Sequence, residues 1–213
     1  MRARGRRLFS LVLLAGLLFV PVRVWACACC SNTGDYYTGF GRPRAYELEL
    51  MREMRFGGTA YLYLTEADLE ESAKGLAHQA EHYTLSGSLV GRAWRLTFRD
   101  GTQTGTLSLP LPAKMSSFAA DIHDGQTSGG GGPLLYKEWR FEGTVTGTGF
   151  FKAGIAAPTK YSLVLQGRGN GCDNAADFTH WRLKVTGKRA DYAFYGELAN
   201  PTPAAMMNGT LTQ

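Results

Sequence analysis

Polar and apolar residues alternate with period two along much of this chain. Trp94, Leu96 and Phe98 are interleaved with Arg95, Thr97 and Arg99. Leu107, Leu109 and Leu111 alternate with Thr106, Ser108 and Pro110. Trp139, Phe141 and Val145 alternate with Arg140, Glu142, Thr144 and Thr146, and Trp181, Leu183 and Val185 with Arg182, Lys184 and Thr186. Successive side chains of a strand point to opposite faces, so these runs describe half-buried antiparallel strands. Further strands are expected near residues 46–55, 59–64, 82–90, 160–167 and 191–198. Asp100-Gly101 falls between two alternating runs and reads as a tight hairpin. Asp124-Gly125 and Gly187-Lys188 mark other reversals, and Gly147 and Gly149 suit bulges or bends.

The expectation is a mainly β fold, an antiparallel β-sandwich or β-barrel of about nine strands with one short helix. The helix is placed after Thr65-Glu66-Ala67-Asp68, a capping-box pattern followed by Leu69, Ala73, Leu76 and Ala77 at helical spacing.

The first residues follow a different pattern. Arg2, Arg4, Arg6 and Arg7 precede the apolar run Leu8–Val20, and Val24-Trp25-Ala26 ends it as a cleavage signal. This is the layout of an export signal, and the run is shorter than the roughly 20 residues that span a bilayer. Three processing routes fit. Ordinary secretion would cut after Ala26. Lipoprotein processing would use Cys27, although Trp25 is bulky for it. Twin-arginine export would use Arg6-Arg7-Leu8-Phe9. The Leu-rich run favours the ordinary route. The expected organisation is a signal at 1–26, a cysteine-containing segment at 27–45, a β-rich domain at 46–199 and a tail at 200–213. An exported, periplasmic or extracellular location follows, lipid-anchored only if Cys27 is lipidated.

Removing the leader changes the charge argument. Five of the 23 basic residues lie in it and none of the 18 acidic ones, which leaves 18 of each. The pI near 9.1 belongs to the leader. The mature chain gives no compositional support for a nucleic-acid partner.

All four cysteines, Cys27, Cys29, Cys30 and Cys172, fall after Ala26. In an oxidising compartment they suggest two disulfides, one joining the N-terminal cluster to Cys172. Closing about 140 residues would stabilise by roughly 3–5 kcal/mol in the chain-entropy model. A vicinal Cys29–Cys30 bond requires a strained peptide. Ser31 stands where covalent haem would need His. A thiolate site for Cu or Zn on Cys27, Cys29 and Cys30, with Cys172, is the alternative.

Other motifs are thinner. His78-Gln79-Ala80-Glu81-His82 matches the inverted zinc-protease pattern, which needs both His on one helix face. Asp121, His123 and Asp124 precede the Gly-rich run 128–132 and could ligate a metal, as could His180. Gly169–Asp177 offers Asp173, Asn174 and Asp177 as oxygen ligands, and Cys172 beside His180 or His123 as a thiolate pair, but reads most simply as a disulfide-anchored turn. Asn208-Gly209-Thr210 fits a glycosylation acceptor. Tyr36 and Tyr37 follow the cysteines, and Tyr61 and Tyr63 share one strand face, where such residues line sugar or apolar-ligand sites.

The reading is an exported β-domain with a binding or structural role, its partner a small ligand or an envelope protein, with no cofactor and no catalytic residues. A metal- or thiol-handling role for the cysteine cluster is the alternative, and a small hydrolase built on His123 and His180 ranks last.

Overall fold

The computed structural model of the protein describes residues 32–64, 73–123 and 133–200. Among the described residues, eleven antiparallel strands form one sheet, curled into a half-barrel. They are β1 (Tyr36–Gly41), β2 (Arg55–Leu62), β3 (His82–Val90), β4 (Ala93–Asp100), β5 (Gln103–Pro110), β6 (Met115–Ala120), β7 (Leu135–Thr144), β8 (Thr146–Gly149), β9 (Thr159–Gly169), β10 (Phe178–Gly187) and β11 (Asp191–Leu198). Their order across the sheet is β1-β6-β7-β9-β10-β11-β2-β3-β4-β5-β8. The mainly β class expected from the alternation is the class observed.

The alternating residues form the concave face. Trp94, Leu96, Phe98, Trp139, Phe141, Trp181, Leu183 and Val185 are all buried. Trp139, Leu165 and Trp181 lie side by side on β7, β9 and β10. Phe56 meets Trp94 and Trp181 edge-on at 5.4 and 5.5 Å, a favoured aromatic geometry. The Asp100-Gly101 hairpin also stands where expected, with Asp100 paired to Gln103. Gly101 takes φ +54°, a left-handed conformation that a side chain would oppose. Gly147 and Gly149 fall in β8, just past Val145, which separates β8 from β7 and is buried. Through that junction the ribbon 135–149 pairs with β6 and β9 at one end and with β5 at the other.

Residues 46–55, expected as a strand, instead form the helix α1 (Ala45–Glu53). Tyr46, Leu48 and Leu50 alternate with Glu47 and Glu49, but the segment has no β-branched residue. Its Glu, Leu, Met and Arg are strong helix formers. Glu47 accepts the Arg44 N–H at 2.6 Å, one half of a capping box. Arg52 pairs with Glu49 one turn away. α1 carries the chain from marginal β1 to central β2, burying Met51, with Met54 buried just beyond its end.

The helix expected from Thr65 lies partly outside the described residues, at 65–72. Its described end, Ala73–Ala77, is not helical. Lys74 bridges Asp191, and Gly75 takes φ +92°, where a Cβ would collide with the Arg189 carbonyl. The sheet begins at Tyr36, within the segment assigned to the cysteine-containing N-terminus. β1, β6 and β8 have no alternating apolar run and were not expected. Asn200, the first residue of the expected tail, is tied down: its amide donates to the carbonyls of Ala175 (2.7 Å) and Phe178 (2.8 Å), and its Oδ1 accepts from Arg55 N at 2.9 Å. The signal, Cys27, Cys29, Cys30, the reversal at Asp124-Gly125, the Gly-rich run 128–132 and Asn208 lie outside the described residues. No helix among the described residues is long and apolar enough to cross a membrane.

Candidate functional site

The concave face has a gap at the β1 margin. A row that is bulky on β10, β9 and β7 ends there in small side chains. In that row Trp181, Leu165 and Trp139 give way to Ser117 and Gly39. In the next, Ala119 sits between Lys137 and Tyr37. The space left is a cleft of about 760 Å³. Its outer rim carries Tyr37 and Phe40, the latter 74% exposed.

The far end of the cleft is polar and continuous. Lys137 stands in β7 between Leu135 and Trp139 on the buried face and is only 3% exposed. Its Nζ donates to the Cys172 carbonyl at 2.7 Å, to Asp177 Oδ2 at 2.9 Å and to Asp173 Oδ1 at 3.1 Å. A lysine ammonium has three protons, so its donors are all used. It anchors the 169–177 loop. Burial raises the Asp177 carboxyl above the ordinary carboxylate value, and Lys137 pulls it part of the way back.

Asp173 links this anchor to α1. The Tyr46 hydroxyl lies 3.4 Å from Asp173 Oδ2 and 3.4 Å from Glu47 Oε1. Its pKa is pushed up to about 12, first by desolvation and then by the Asp173 and Glu47 carboxylates. Glu47, 3% exposed, also accepts from Arg44 Nε at 3.0 Å and Nη2 at 2.6 Å. The Arg44 guanidinium in turn covers the Tyr46 ring at 4.7 Å. The cleft therefore joins a small-residue floor and aromatic rim to a charged, hydrogen-bonded wall. Such a surface suits an amphipathic small molecule.

The residues singled out from the sequence separate into three places. Asp173 and Asp177 come together on Lys137, while Asn174 caps the following turn, accepting the Ala176 N–H at 3.0 Å. Cys172 lends its carbonyl to Lys137, and its exposed thiol is bonded to no described residue. Asp121 and His123 form a local turn, His123 N–H donating to Asp121 Oδ1 at 2.9 Å. His180 faces outward from β10, hydrogen-bonded to Thr179, with Glu197 4.0 Å away. Among the described residues, no three His, Cys, Asp or Glu side chains gather as a metal site.

His78 and His82 share no helix face: His78 Nε2 contacts Asp100 Oδ2 at 2.8 Å and His82 opens β3. Tyr61 and Tyr63 are exposed beside the convex face. Arg44, Glu47 and Lys137 were not anticipated. Lys137 left a signal, since it continues the inward phase of Trp139 and Phe141, where an apolar residue belongs. No family model, no curated protein and no solved structure matches the chain.

Proposed function

We propose that this is an exported β-domain that binds a small amphipathic ligand in the cleft beside β1, without catalysing a reaction on it. The observation that carries the reading is that Trp181, Leu165 and Trp139 give way along their row to Ser117 and Gly39, with Ala119 beside them in the next row. Interiors are close-packed, and a row that stops being filled at a concave margin leaves room for something else. The charged wall then orients that ligand through Arg44 and Glu47.

Ala119→Trp should fill the cleft and abolish binding without unfolding the sheet. The probe is 1-anilinonaphthalene-8-sulfonate, an aromatic anion, followed by amide chemical shifts. Saturable shifts at Gly39, Ser117 and Ala119, lost in the variant, support the reading. Shifts elsewhere, or equal binding by the variant, overturn it.

We also infer that one of Cys27, Cys29 and Cys30 bonds to Cys172 in the exported protein. Lys137, which holds the Cys172 carbonyl, shares a cross-strand row with Ala119 and Tyr37. Two strand spacings make about 10 Å. Asn32, where the described chain begins, is two residues after Cys30, so the cluster is within chain reach. Intact mass after alkylation should show no reactive thiol in protein exported by its host. Four alkylated thiols would overturn the staple, and bound Cu or Zn with them would favour the metal reading. A lipid-sized added mass would place the chain on a membrane through Cys27.

A further inference from the structure

The convex face of the central strands is sorted rather than mixed. Arg182 on β10 stands directly across from Tyr195 on β11, which stands across from Tyr61 on β2. One step along, Glu142, Ser162, Lys184 and Ala193 form the next row, and the Tyr63 N–H donates to the Ala193 carbonyl at 2.8 Å. Lys160 follows in the third row, across from Thr186. Ser162 is therefore a low floor between Glu142 and Lys184, Ala193 separates Lys184 from Tyr63, and Tyr195 and Tyr61 continue the same face beyond Arg182. The depression has a volume of about 800 Å³.

The side chains are presented to solvent. Tyr61, Tyr63 and Tyr195 are 45%, 57% and 46% exposed. Tyr61 and Tyr195 stack at 5.4 Å with 24° between their planes, which fixes both rings. Lys160, Arg182 and Lys184 line the groove against a single carboxylate, Glu142. Lys184 reaches Asp191 at 3.4 Å, but both are well exposed and the pair is weak. The mature chain as a whole balances 18 basic with 18 acidic residues, so the excess of positive charge here is local.

We propose that this groove binds an acidic polysaccharide, a chain of sugars bearing carboxylates. Its carboxylates lie on Lys160, Arg182 and Lys184 through charge-assisted hydrogen bonds. Its rings and hydroxyls lie against Tyr63 in the groove and the neighbouring Tyr195 and Tyr61, which offer apolar area with a polar tip. The balance of 18 basic and 18 acidic residues in the mature chain gives a polyphosphate backbone little long-range attraction, which favours a saccharide over single-stranded nucleic acid. The groove is on the opposite face from the cleft, so either site can fail without the other.

The test is titration calorimetry of the folded mature chain with oligogalacturonate, oligomannuronate and hyaluronate hexamers. A neutral hexasaccharide, oligo-dT and polyacrylate serve as comparison probes. Saturable binding of at least one uronate is expected, with the neutral sugar at least tenfold weaker. The double variants R182Q/K184Q and Y61A/Y63A should each weaken that binding at least tenfold, while R99Q, a β4 substitution outside the groove, leaves it unchanged. Circular dichroism checks that each variant is folded, and R182Q alone provides a milder change. Absence of binding to all three uronates, or binding unaffected by both double variants, overturns the proposal. Equal or tighter binding of oligo-dT or polyacrylate also overturns it, by reducing the groove to a nucleic-acid site or a generic charged surface.

Discussion

Lys137→Met should destabilise the domain by about 3–5 kcal/mol, the usual cost of removing one partner from a buried charge cluster. Methionine matches the length of the side chain and keeps its apolar contacts. The loss is therefore electrostatic: the Cys172 carbonyl, Asp173 and Asp177 lose a shared donor in a place water reaches poorly. The deficit should depend on pH in a specified direction. Asp177 is already harder to ionise folded than unfolded, because burial outweighs the lysine. A carboxyl with a raised folded pKa costs stability as pH rises through the range above its ordinary value, and costs nothing below that value. Without Lys137 the folded pKa rises further, so the penalty at neutral pH grows. Urea unfolding should show a large deficit near pH 7 that shrinks toward pH 4. Lys137→Met combined with Asp177→Asn should recover part of it. A deficit under about 1 kcal/mol, or one independent of pH, would show that the cluster does not carry the loop.

Trp181→Ala should cost a similar amount, about 3–5 kcal/mol, through a different cause. Trp181 sits at mid-sheet, 1% exposed, against Phe56 on the concave side. Its neighbour in the row is Gly196, where a Cβ would come within 3.0–3.1 Å of the indole, so the two are matched in size. Truncation leaves a void that the surrounding strands cannot close and removes the Nε1 donor, 3.1 Å from the Glu197 carbonyl. Trp181→Phe should cost clearly less, because it keeps most of the ring and loses mainly that hydrogen bond. Midpoints of thermal and urea unfolding measure both. Equal losses for the two variants would mean that the hydrogen bond, rather than ring volume, holds the position.

The strands legible in the sequence are those with one face buried and the other wet. That condition imposes alternation, and β2, β3, β4, β5, β7, β9, β10 and β11 meet it over part or all of their length. β1 is exposed along almost its whole length, so nothing selects a period in Tyr36–Gly41. β6 faces the cleft with Ser117 and Ala119, so its inward side lacks the large residues that would mark it. The same small residues that hide β6 from pattern reading make the cleft. α1 was misread because alternating Glu and Leu satisfies a strand template over a short window, while Glu47 at the third helical position argued for a helix.

Of the site, Asp173 and Asp177 were visible as a dense polar loop. Their partner was not, because Lys137 is 36 residues away from Asp173 in the chain and appears as an ordinary polar residue unless its phase is followed back from Trp139. The aromatic pairs were visible in half. Tyr61 in β2 and Tyr63 just past its end are two residues apart in the chain, but Tyr195 joins them only through the pairing of β11 with β2.

That pairing also orders events during folding. β2 through β5 form a meander of neighbours, and β9 through β11 form another. The seam between the two is β2 against β11, with Tyr61 opposite Tyr195. The last of the described strands thus completes the middle of the sheet, not its edge. Non-local contacts of this kind slow folding, since a long loop must close before they are rewarded. By backbone pairing, β1-β6-β7-β9-β10 on one side and β2-β3-β4-β5-β8 on the other are joined through β11, so losing its pairing would leave two five-stranded sheets with apolar faces uncovered.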